Sequence, residues 1–447
     1  MLTIRERDDF MKRKIYNKLL DWKNNLDDIK PLMVLGARQV GKTYVINEFC
    51  KNEFDNYVHI NLLQDIEIVK LYKSDKNSKD KYIEFQLLVN FDFDTPNSVI
   101  FIDEIQECEE LISELKYFCE EHNNVRIICA GSLLGVKLKR SKASFPVGKV
   151  NIYYMHPMDF EEFLNGLNQE MLVDKIKECY KNNTMMYSAL HEKALNFYRL
   201  YLCVGGMPES VSNFVSISAN IIKYNSQIVT EIVDSYFKDM NKYVNSNAEA
   251  LKIERIYSSV PMQLLNSSNK FQFSKVASGA KSREYDTALD WLFASSMILK
   301  TQKVSIPEIP LEGFVEKDYF KLYLSDVGIL TKMTKLKFVD ILRDNLSLYK
   351  GAIAENYVAN ALTQNGIELY YWQNNGEAKV DFLLYTEDGI IPLEVKAGDS
   401  VKSKSLGIYM EKFNPKYAIR VSTRNFGYNE EKRIKSIPLY AVFCINE

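Results

Sequence analysis

Short apolar runs alternate with longer amphipathic stretches in the first third of the chain. The runs PLMVLG, YVHINL, SVIFIDE and VRIICAGS are continuously apolar, which is typical of strands buried on both faces. Stretches such as CEELISELKYFCEEH lie between them and have the spacing of amphipathic helices. This order of strands and helices predicts a parallel α/β sheet up to about residue 165.

The pattern changes three times further along the chain. Residues 166–250 show longer helical periodicity, interrupted by the turn GGMPES. From residue 251 to about 300, the pattern predicts three short helices and then a strand at ILKTQKV. Residues 346–447 return to α/β, with a helix at GAIAENYVANAL and strands at KVDFLLY, IIPLEVKA and KYAIRVST. The sequence therefore predicts four segments, with boundaries near residues 165, 250 and 345.

Composition narrows the class of protein. A chain of 447 residues is long for one core, and its 46% hydrophobic and 26% charged residues are ordinary for a globular protein. With 57 basic and 59 acidic residues, any nucleic-acid contact would need a local basic patch. The seven cysteines form no CxxC pair, so a structural zinc site is not expected. Without an apolar signal or spanning segment, we expect a cytoplasmic protein with no membrane partner.

The loop GARQVGKT, directly after the first apolar run, fits the pattern G-x-x-x-x-G-K-[ST]. Its glycines let the backbone curl so that amide N–H groups point at phosphate oxygens, and the following helix adds its dipole. Lys42 is expected to reach the β- and γ-phosphates, and the Thr43 hydroxyl to ligate Mg²⁺. The predicted nucleotide-binding residues are Gly36, Ala37, Arg38, Gln39, Val40, Gly41, Lys42 and Thr43.

Two acidic residues end the run SVIFIDE, about sixty residues downstream of the loop. A P-loop ATPase needs such a pair: Asp103 would hold Mg²⁺ through water, and Glu104 would orient or polarise the attacking water. A small-molecule kinase has less use for a water-activating glutamate. The sequence therefore predicts ATP hydrolysis with ATP and Mg²⁺ as cofactors and Glu104 as a catalytic residue.

A third buried strand, VRIICAGS, ends at Ser132. Ser132 is predicted as a second catalytic residue that senses the γ-phosphate or the attacking water, although a plain Gly-Ser turn has the same sequence. Arg140 and Lys149 are candidates for an arginine finger, and neither can be assigned.

The order of several motifs resembles one family along nearly the whole chain. The motifs are GARQVGKT, IFIDEIQ, AGSLLG, MHPMDFEEFL, GGMPES, YLSDVGIL, GAIAENYV and PLEVKAG. They resemble the bacterial and archaeal AAA-type ATPases that carry a conserved C-terminal domain of unknown function. The resemblance implies an AAA-type core at 1–165, a helical lid or connector at 166–250, a winged-helix-like domain at 251–345 and a restriction-endonuclease-like domain at 346–447. Gly148-Lys149 departs from the Gly-Arg that members commonly have.

The tail has the spacing D-x₁₂-E-x-K of a restriction-endonuclease-like site, in which carboxylates bind a divalent metal. Asp381 and Glu394 would be the ligands, with Lys396 on the same strand face as Glu394. Glu355 is a third candidate ligand of this second divalent metal. Without a metal, some of these crowded carboxylates should have raised pKa values, and Lys396 is near enough to offset part of their repulsion. An active nuclease, a nuclease-like scaffold that only binds, and an unrelated α/β tail all remain open.

Lys275, Lys281 and Arg283 cluster at the start of the helix EYDTALDWLF, which could enter a DNA groove with these residues on phosphates. The same cluster is also typical of a solvated helix start. The sequence thus favours ATP hydrolysis coupled to an action on nucleic acid, with DNA as a partner. The alternative is an ATP-dependent switch whose tail binds a protein partner, or a second copy of the chain, and cuts nothing.

Overall fold

The computed structural model describes most of the chain in two compact units. The N-terminal unit holds residues 12–156 with Ala294–Ser296, and the C-terminal unit holds Pro157–Phe293 and Met297–Glu447. The described residues are 13–25, 29–122, 124–132, 136, 146, 148–242, 244, 246–265, 270–345, 349–374, 378–399 and 404–446. Among them, no helix combines the length and the apolar character that crossing a membrane requires.

A parallel sheet with helices packed against it forms the N-terminal unit, so the α/β prediction for this part of the chain is confirmed. Its strands lie in the order β2-β3-β4-β1-β5, and every residue of β1, β3 and β4 is buried. Full burial explains why these strands are continuously apolar. The elements are α1 (Ile15–Asn24), β1 (Leu32–Leu35), α2 (Lys42–Glu53), β2 (Asn56–Asn61), α3 (Ile66–Lys73), α4 (Ser78–Val89), β3 (Ser98–Asp103), α5 (Glu109–Glu121), β4 (Arg126–Gly131) and β5 (Asn151–Tyr154).

The C-terminal unit begins with a run of helices and continues into a mixed sheet. The helices before the sheet are α6 (Phe160–Gly166), α7 (Glu170–Asn182), α8 (Ser188–Val204), α9 (Pro208–Ser216), α10 (Gln227–Lys242), α11 (Asn247–Leu265) and α12 (Asp286–Ala294). The strands are β6 (Ile298–Val304), β7 (Val315–Leu324), β8 (Tyr370–Gln373), β9 (Lys379–Thr386), β10 (Gly389–Val395), β11 (Ala418–Ser422), β12 (Gly427–Asn429) and β13 (Ile434–Pro438). The helices between them are α13 (Val327–Met333), α14 (Phe338–Leu342), α15 (Lys350–Gln364) and α16 (Lys404–Phe413).

The hairpin β6–β7 belongs to the same sheet as the strands of the tail. The described strands are ordered β12-β13-β11-β10-β9-β8-β6-β7, and β6 pairs in parallel with β8 through Gln302 and Tyr370. The predicted boundary near residue 345 therefore falls between strands of one sheet, and the division of the chain into four domains stays a prediction.

Two glycine-containing motifs of the sequence, the turn GGMPES and YLSDVGIL, pack against each other in this unit. Gly205 has a φ of +76°, and a Cβ added to it would lie 2.5 Å from the Oδ1 atom of Asp326. A Cβ on Gly328 would lie 2.6 Å from the Cα of Gly205. Only glycine allows the turn of GGMPES to approach the turn of YLSDVGIL this closely.

Asp326 connects these two turns through backbone hydrogen bonds. Its carboxylate accepts from the N–H of Gly206 at 2.6 Å and from the N–H of Ile329 at 2.9 Å, the second bond capping α13. Burial raises the pKa of Asp326, and the bonds from the backbone N–H groups oppose that shift. The side chain is almost fully buried, so losing it would leave two N–H groups without an acceptor.

We predict that Asp326→Ala lowers the free energy of unfolding of the C-terminal unit by about 2 kcal/mol, because a helix cap and a buried acceptor are lost together. Urea unfolding followed by tryptophan fluorescence measures this. A Trp22→Phe background restricts the signal to Trp291 and Trp372, which both lie in this unit.

Asp326→Asn is the matched control, since its amide retains one acceptor oxygen and should lose less stability than the alanine variant. An unchanged urea midpoint for Asp326→Ala would show that the two turns are held by packing alone.

Candidate ATP site

The carboxyl ends of the parallel strands bring the predicted nucleotide site together. Leu35 at the end of β1 is level with Gly131 of β4, and Asn61 of β2 is level with Asp103 of β3. Because β4 lies between β1 and β3, the loop after β1 meets Asp103 and Glu104, at the end of β3, at one edge of the sheet. This edge is where doubly wound sheets commonly bind ligands.

Close approach of the backbone fixes the start of the phosphate loop. A Cβ on Gly36 would lie 2.1 Å from the carbonyl oxygen of Met155, so a side chain is excluded there. At the other end, Gly41 has a φ of +91° and is the N-cap residue of α2. Ala37, Arg38, Gln39 and Val40 connect the two glycines, and Gln39 also has a positive φ of 63°. The eight predicted residues form one continuous segment, in which Gly36 to Gly41 make the loop and Lys42 and Thr43 begin α2.

Lys42 lies buried beneath this loop, with its ammonium group bound to backbone carbonyls. Its Nζ donates to the oxygens of Gly36 at 2.8 Å and Ala37 at 2.7 Å. Burial lowers the pKa of Lys42 to about 8, and the carboxylates of Glu104 and Asp103 oppose this shift. A buried ammonium group held mainly by neutral oxygens is poised to gain from an added anion such as a phosphate.

A hydrogen bond joins the loop to β3. The Thr43 hydroxyl donates to Oδ2 of Asp103 at 2.8 Å, while Oδ1 of Asp103 accepts from the backbone N–H of Glu104 at 3.0 Å. A hydroxyl and a carboxylate are the oxygen ligands that Mg²⁺ prefers, so Thr43 and Asp103 fit a magnesium ion. Bound Mg²⁺ would neutralise charge that develops on the phosphates.

Glu104 follows Asp103 in the left-handed conformation, with a φ of +54°. One of its carboxylate oxygens accepts a hydrogen bond from the side-chain amide of the fully buried Gln106. A non-glycine residue with a positive φ is uncommon and often marks a functional position. The backbone turn and the Gln106 amide together fix where the Glu104 carboxylate lies.

Two further residues near this site, Gln106 and His59, were not predicted from the sequence. Gln106 had a detectable signal, because it ends the motif IFIDEIQ two positions after Glu104. His59 has its Nε2 3.9 Å from Oδ2 of Asp103, and its ring stacks on Phe101 at a centroid distance of 4.5 Å. Only the register of β2 on β3 reveals that contact, so it could not be predicted from local sequence.

The other predicted site residues of this unit are Ser132, Lys149 and Arg140. Ser132 lies half-buried directly after β4, at the same sheet edge as the loop. Lys149 forms an exposed ion pair with Glu120 at 3.0 Å. Arg140 lies outside the described residues. The roles predicted for Ser132 and for an arginine finger stay predictions.

In the C-terminal unit, two lysines lie among the predicted metal ligands. Lys379 lies 2.9 Å from Oδ1 of Asp381 and 3.7 Å from Oε1 of Glu355. The same Glu355 oxygen accepts from Lys321 at 2.5 Å and from the Tyr323 hydroxyl at 2.6 Å. The structure thus brings Glu355 and Asp381 together through ammonium groups. Sequence reasoning missed Lys379, although it precedes Asp381 by two residues and so shares its strand face.

Glu394 lies in the same cavity with a different partner. Its Oε1 pairs with Lys396 at 2.7 Å, as the shared strand face predicted, and its buried Oε2 has no hydrogen-bond partner among the described residues. Asp381 uses its second oxygen to accept from the backbone N–H of Val395 at 3.0 Å. The cavity has a volume of about 350 Å³ and is lined by all three acids and by Lys321, Lys379 and Lys396.

These contacts correct the expected charge state of the cluster. Burial alone would raise the pKa of Glu355, but the ammonium groups of Lys321 and Lys379 and the hydrogen bonds outweigh it and lower the pKa to about 2. Glu355 is therefore not one of the carboxylates whose pKa is raised. Lys321 and Lys379 are the reason, because they neutralise the repulsion that the prediction assumed.

The donor set in this arrangement does not fit a second divalent metal. Both oxygens of Asp381 are engaged, and one oxygen of Glu355 accepts from two donors. Across the described residues, no three acid, histidine or cysteine side chains are grouped as metal ligands would be. A metal here would require Lys379 to leave Asp381.

Three family models match successive parts of the chain. Residues 28–164 match an AAA domain, residues 195–340 match a domain of unknown function (DUF8612), and residues 350–442 match another (DUF4143). No curated protein matches the chain.

Solved structures that resemble the chain include the Walker-type ATPase of Pyrococcus abyssi, with 14% identity, 74% of this chain and 99% of that chain covered, and a TM-score of 0.45. The ORC2 protein of Aeropyrum pernix, in its ADPNP–ADP complexes, matches with 10% identity, 78% and 97% coverage, and a TM-score of 0.38. Residues 28–164 are a P-loop ATPase domain of the AAA type, and two domains of unknown function follow it in the chain.

Proposed function

We propose that this chain couples Mg²⁺-dependent ATP hydrolysis in its N-terminal unit to an action on nucleic acid by its C-terminal unit. The observation that carries the ATPase part is the 2.8 Å hydrogen bond between Thr43 and Asp103. It brings the end of the phosphate loop to the acids after β3, where a magnesium ion and a nucleophilic water are needed.

Each residue of the site has a distinct proposed role. Lys42 would donate to the β- and γ-phosphates in place of its bonds to the loop carbonyls. Thr43 and Asp103 would hold Mg²⁺, directly and through water. Glu104 would accept a hydrogen bond from the attacking water and orient it, with Gln106 holding the carboxylate in place.

Exposed basic side chains support a nucleic-acid partner. Lys275, Lys281 and Arg283 are all exposed and lie in the short segment before α12. The exposed face of α12 itself carries Asp286 and Asp290, whose charge opposes entry into a groove lined by phosphates. We therefore propose that the basic segment, rather than α12, contacts the nucleic-acid backbone.

The second candidate function is an ATP-dependent switch whose C-terminal unit binds a protein, or a second copy of the chain, and cuts nothing. The lysines that neutralise Glu355 and Asp381 favour it, because they occupy the carboxylates that nuclease chemistry would need for a metal.

We predict that Lys42→Ala and Glu104→Gln separate ATP binding from turnover. Lys42→Ala should weaken ATP binding by at least about 100-fold, because it removes the ammonium group from the phosphate loop. Glu104→Gln should keep ATP bound and lower turnover by about 100-fold or more, the usual effect of losing a group that orients water. Isothermal titration and phosphate release measure the two effects.

Lys51→Ala is the matched control, since it removes an exposed lysine from the last turn of the same helix and should change neither property. Parent-like ATP binding by Lys42→Ala would contradict the P-loop assignment, and parent-like turnover by Glu104→Gln would move the catalytic carboxylate elsewhere.

DNA stimulation of ATP turnover decides between the two candidate functions. We expect short single- or double-stranded DNA to raise the turnover of the parent protein. Replacing Lys275, Lys281 and Arg283 by glutamate should remove this effect, and each lost phosphate contact should reduce the salt dependence of DNA binding by about one counterion.

A control with equal charge change replaces Lys181, Lys317 and Lys432, exposed lysines elsewhere in the C-terminal unit, by glutamate. Equal losses in both triple variants would indicate only non-specific attraction. Turnover that is indifferent to DNA in the parent protein would favour the protein-binding switch.

A Mn²⁺ titration tests the second metal that the sequence predicted. In a Lys42→Ala background, which disables the ATP site, we expect no Mn²⁺ binding by the C-terminal cluster. Adding Lys379→Met should create measurable binding, because it frees an oxygen of Asp381 while keeping the length of the side chain. Mn²⁺ electron paramagnetic resonance gives the free and bound fractions directly.

Lys416→Met, which breaks an exposed pair with Asp388, serves as the control and should create no site. If the cluster binds Mn²⁺ with Lys379 present, and Asp381→Ala with Glu394→Ala abolishes that binding, the second metal and a nuclease become the better proposal.

A further inference from the structure

We propose that Arg13 is a positioning residue of the ATP site, which fixes the peptide between Val40 and Gly41 so that the Gly41 N–H faces the bound phosphates. This inference rests on the ATPase assignment of the N-terminal unit. No motif in the sequence drew attention to Arg13, which lies just before α1 and far from the phosphate loop along the chain.

Arg13 is buried, with only 6% of its surface exposed. Its guanidinium bridges two backbone carbonyls. Its Nη1 donates to the oxygen of Val40 at 2.9 Å, and its Nη2 donates to the oxygen of His156 at 2.7 Å. One rigid, always-charged group therefore ties the phosphate loop to the segment that follows β5.

The geometry of the peptide bond links this contact to the direction of the Gly41 N–H. The carbonyl of Val40 and the N–H of Gly41 belong to one planar trans peptide, so they point in opposite directions. Because Arg13 holds the carbonyl on its own side, the N–H is directed to the other side. A peptide preceding a glycine with a φ of +91° can flip at low cost, and the bond to Arg13 opposes that flip.

Other backbone carbonyls of the loop accept hydrogen bonds from different donors. Lys42 binds those of Gly36 and Ala37, and the carbonyl of Gly41 accepts from the N–H of Val45 in the first turn of α2. The bond from Arg13 to Val40 thus restrains a peptide that neither Lys42 nor the helix reaches.

Arg13 is itself held in place by the packing of α1. Tyr16, three residues later, donates from its hydroxyl to Glu53 of α2 at 2.8 Å and packs edge-to-face on Phe49 at 5.4 Å. Arg126 binds the carbonyls of Trp22, Lys23 and Asn25 and so holds the far end of α1, not the end beside Arg13. Since α1 is anchored on the helix that follows the phosphate loop, Arg13 keeps its register with Val40.

The test compares steady-state ATP hydrolysis and ADP affinity in Arg13→Ala, Arg13→Lys and the parent protein. We expect Arg13→Ala to raise KM for ATP and the Kd for ADP by about tenfold, with kcat changed less than about threefold, because a ground-state phosphate contact is weakened. Arg13→Lys should recover part of the loss, since an ammonium group can donate to Val40 but cannot span both carbonyls.

Arg126→Ala is the structural control. The substitution removes the buried guanidinium that β4 contributes to the far end of α1, and it leaves the phosphate loop untouched. It should therefore lower the melting temperature while leaving KM for ATP unchanged. Arg13→Lys keeps the proposal testable if Arg13→Ala fails to fold.

An unchanged KM in a folded Arg13→Ala protein would overturn the proposal. So would an equal rise in KM for Arg126→Ala at the same loss of melting temperature, because Arg13 would then be merely structural. If the parent protein hydrolyses no ATP, or if Lys42→Ala binds ATP like the parent, the ATPase assignment fails instead.

Discussion

The hydrogen bond between Thr43 and Asp103 depends on the order of three strands and on their register. Thr43 lies just after the loop that follows β1, and Asp103 is the last residue of β3. The strand β4 lies between β1 and β3. A slip of one residue in either pairing would turn Asp103 to the opposite face of the sheet. The apolar residues of β1, β3 and β4 prevent that slip, because both faces of these strands are packed. Hydrophobic burial thus sets the position of the oxygens that can hold magnesium.

Buried lysines occur at both sites, and their partners give them opposite consequences. Burial lowers the pKa of Lys42 to about 8. Its ammonium group bonds to two neutral carbonyls, so an anionic ligand would relieve the cost of its burial. Lys379 lies between two carboxylates, which raise its pKa against the effect of burial. A charge that already has partners gains little from a ligand. The same residue type therefore indicates a binding site in the N-terminal unit and a closed ionic cluster in the C-terminal unit.

The sequence predicted the parts whose chemistry is local. The loop from Gly36 to Thr43 and the pair Asp103–Glu104 are contiguous, and their geometry follows from short-range backbone rules. Arg13 and Lys321 could not be found in this way, because their partners Val40 and Glu355 are distant in sequence and no periodicity relates them. The sharing of one sheet by β6 and β8 was hidden for the same reason, since long-range pairing leaves no local pattern.

The central claim is that Lys42 carries a buried positive charge, which the phosphates of bound ATP compensate. Its most direct test is the number of protons taken up when ATP binds, obtained by isothermal titration in buffers of different ionisation enthalpy at pH 8.5. A pKa of about 8 in the free protein leaves Lys42 largely neutral at this pH, and bound phosphates should restore its proton. Phosphate groups titrate well below this pH and contribute little. Binding of ATP should therefore take up a large fraction of a proton at pH 8.5 and much less at pH 7. Binding heats that are independent of the buffer at pH 8.5 would contradict it.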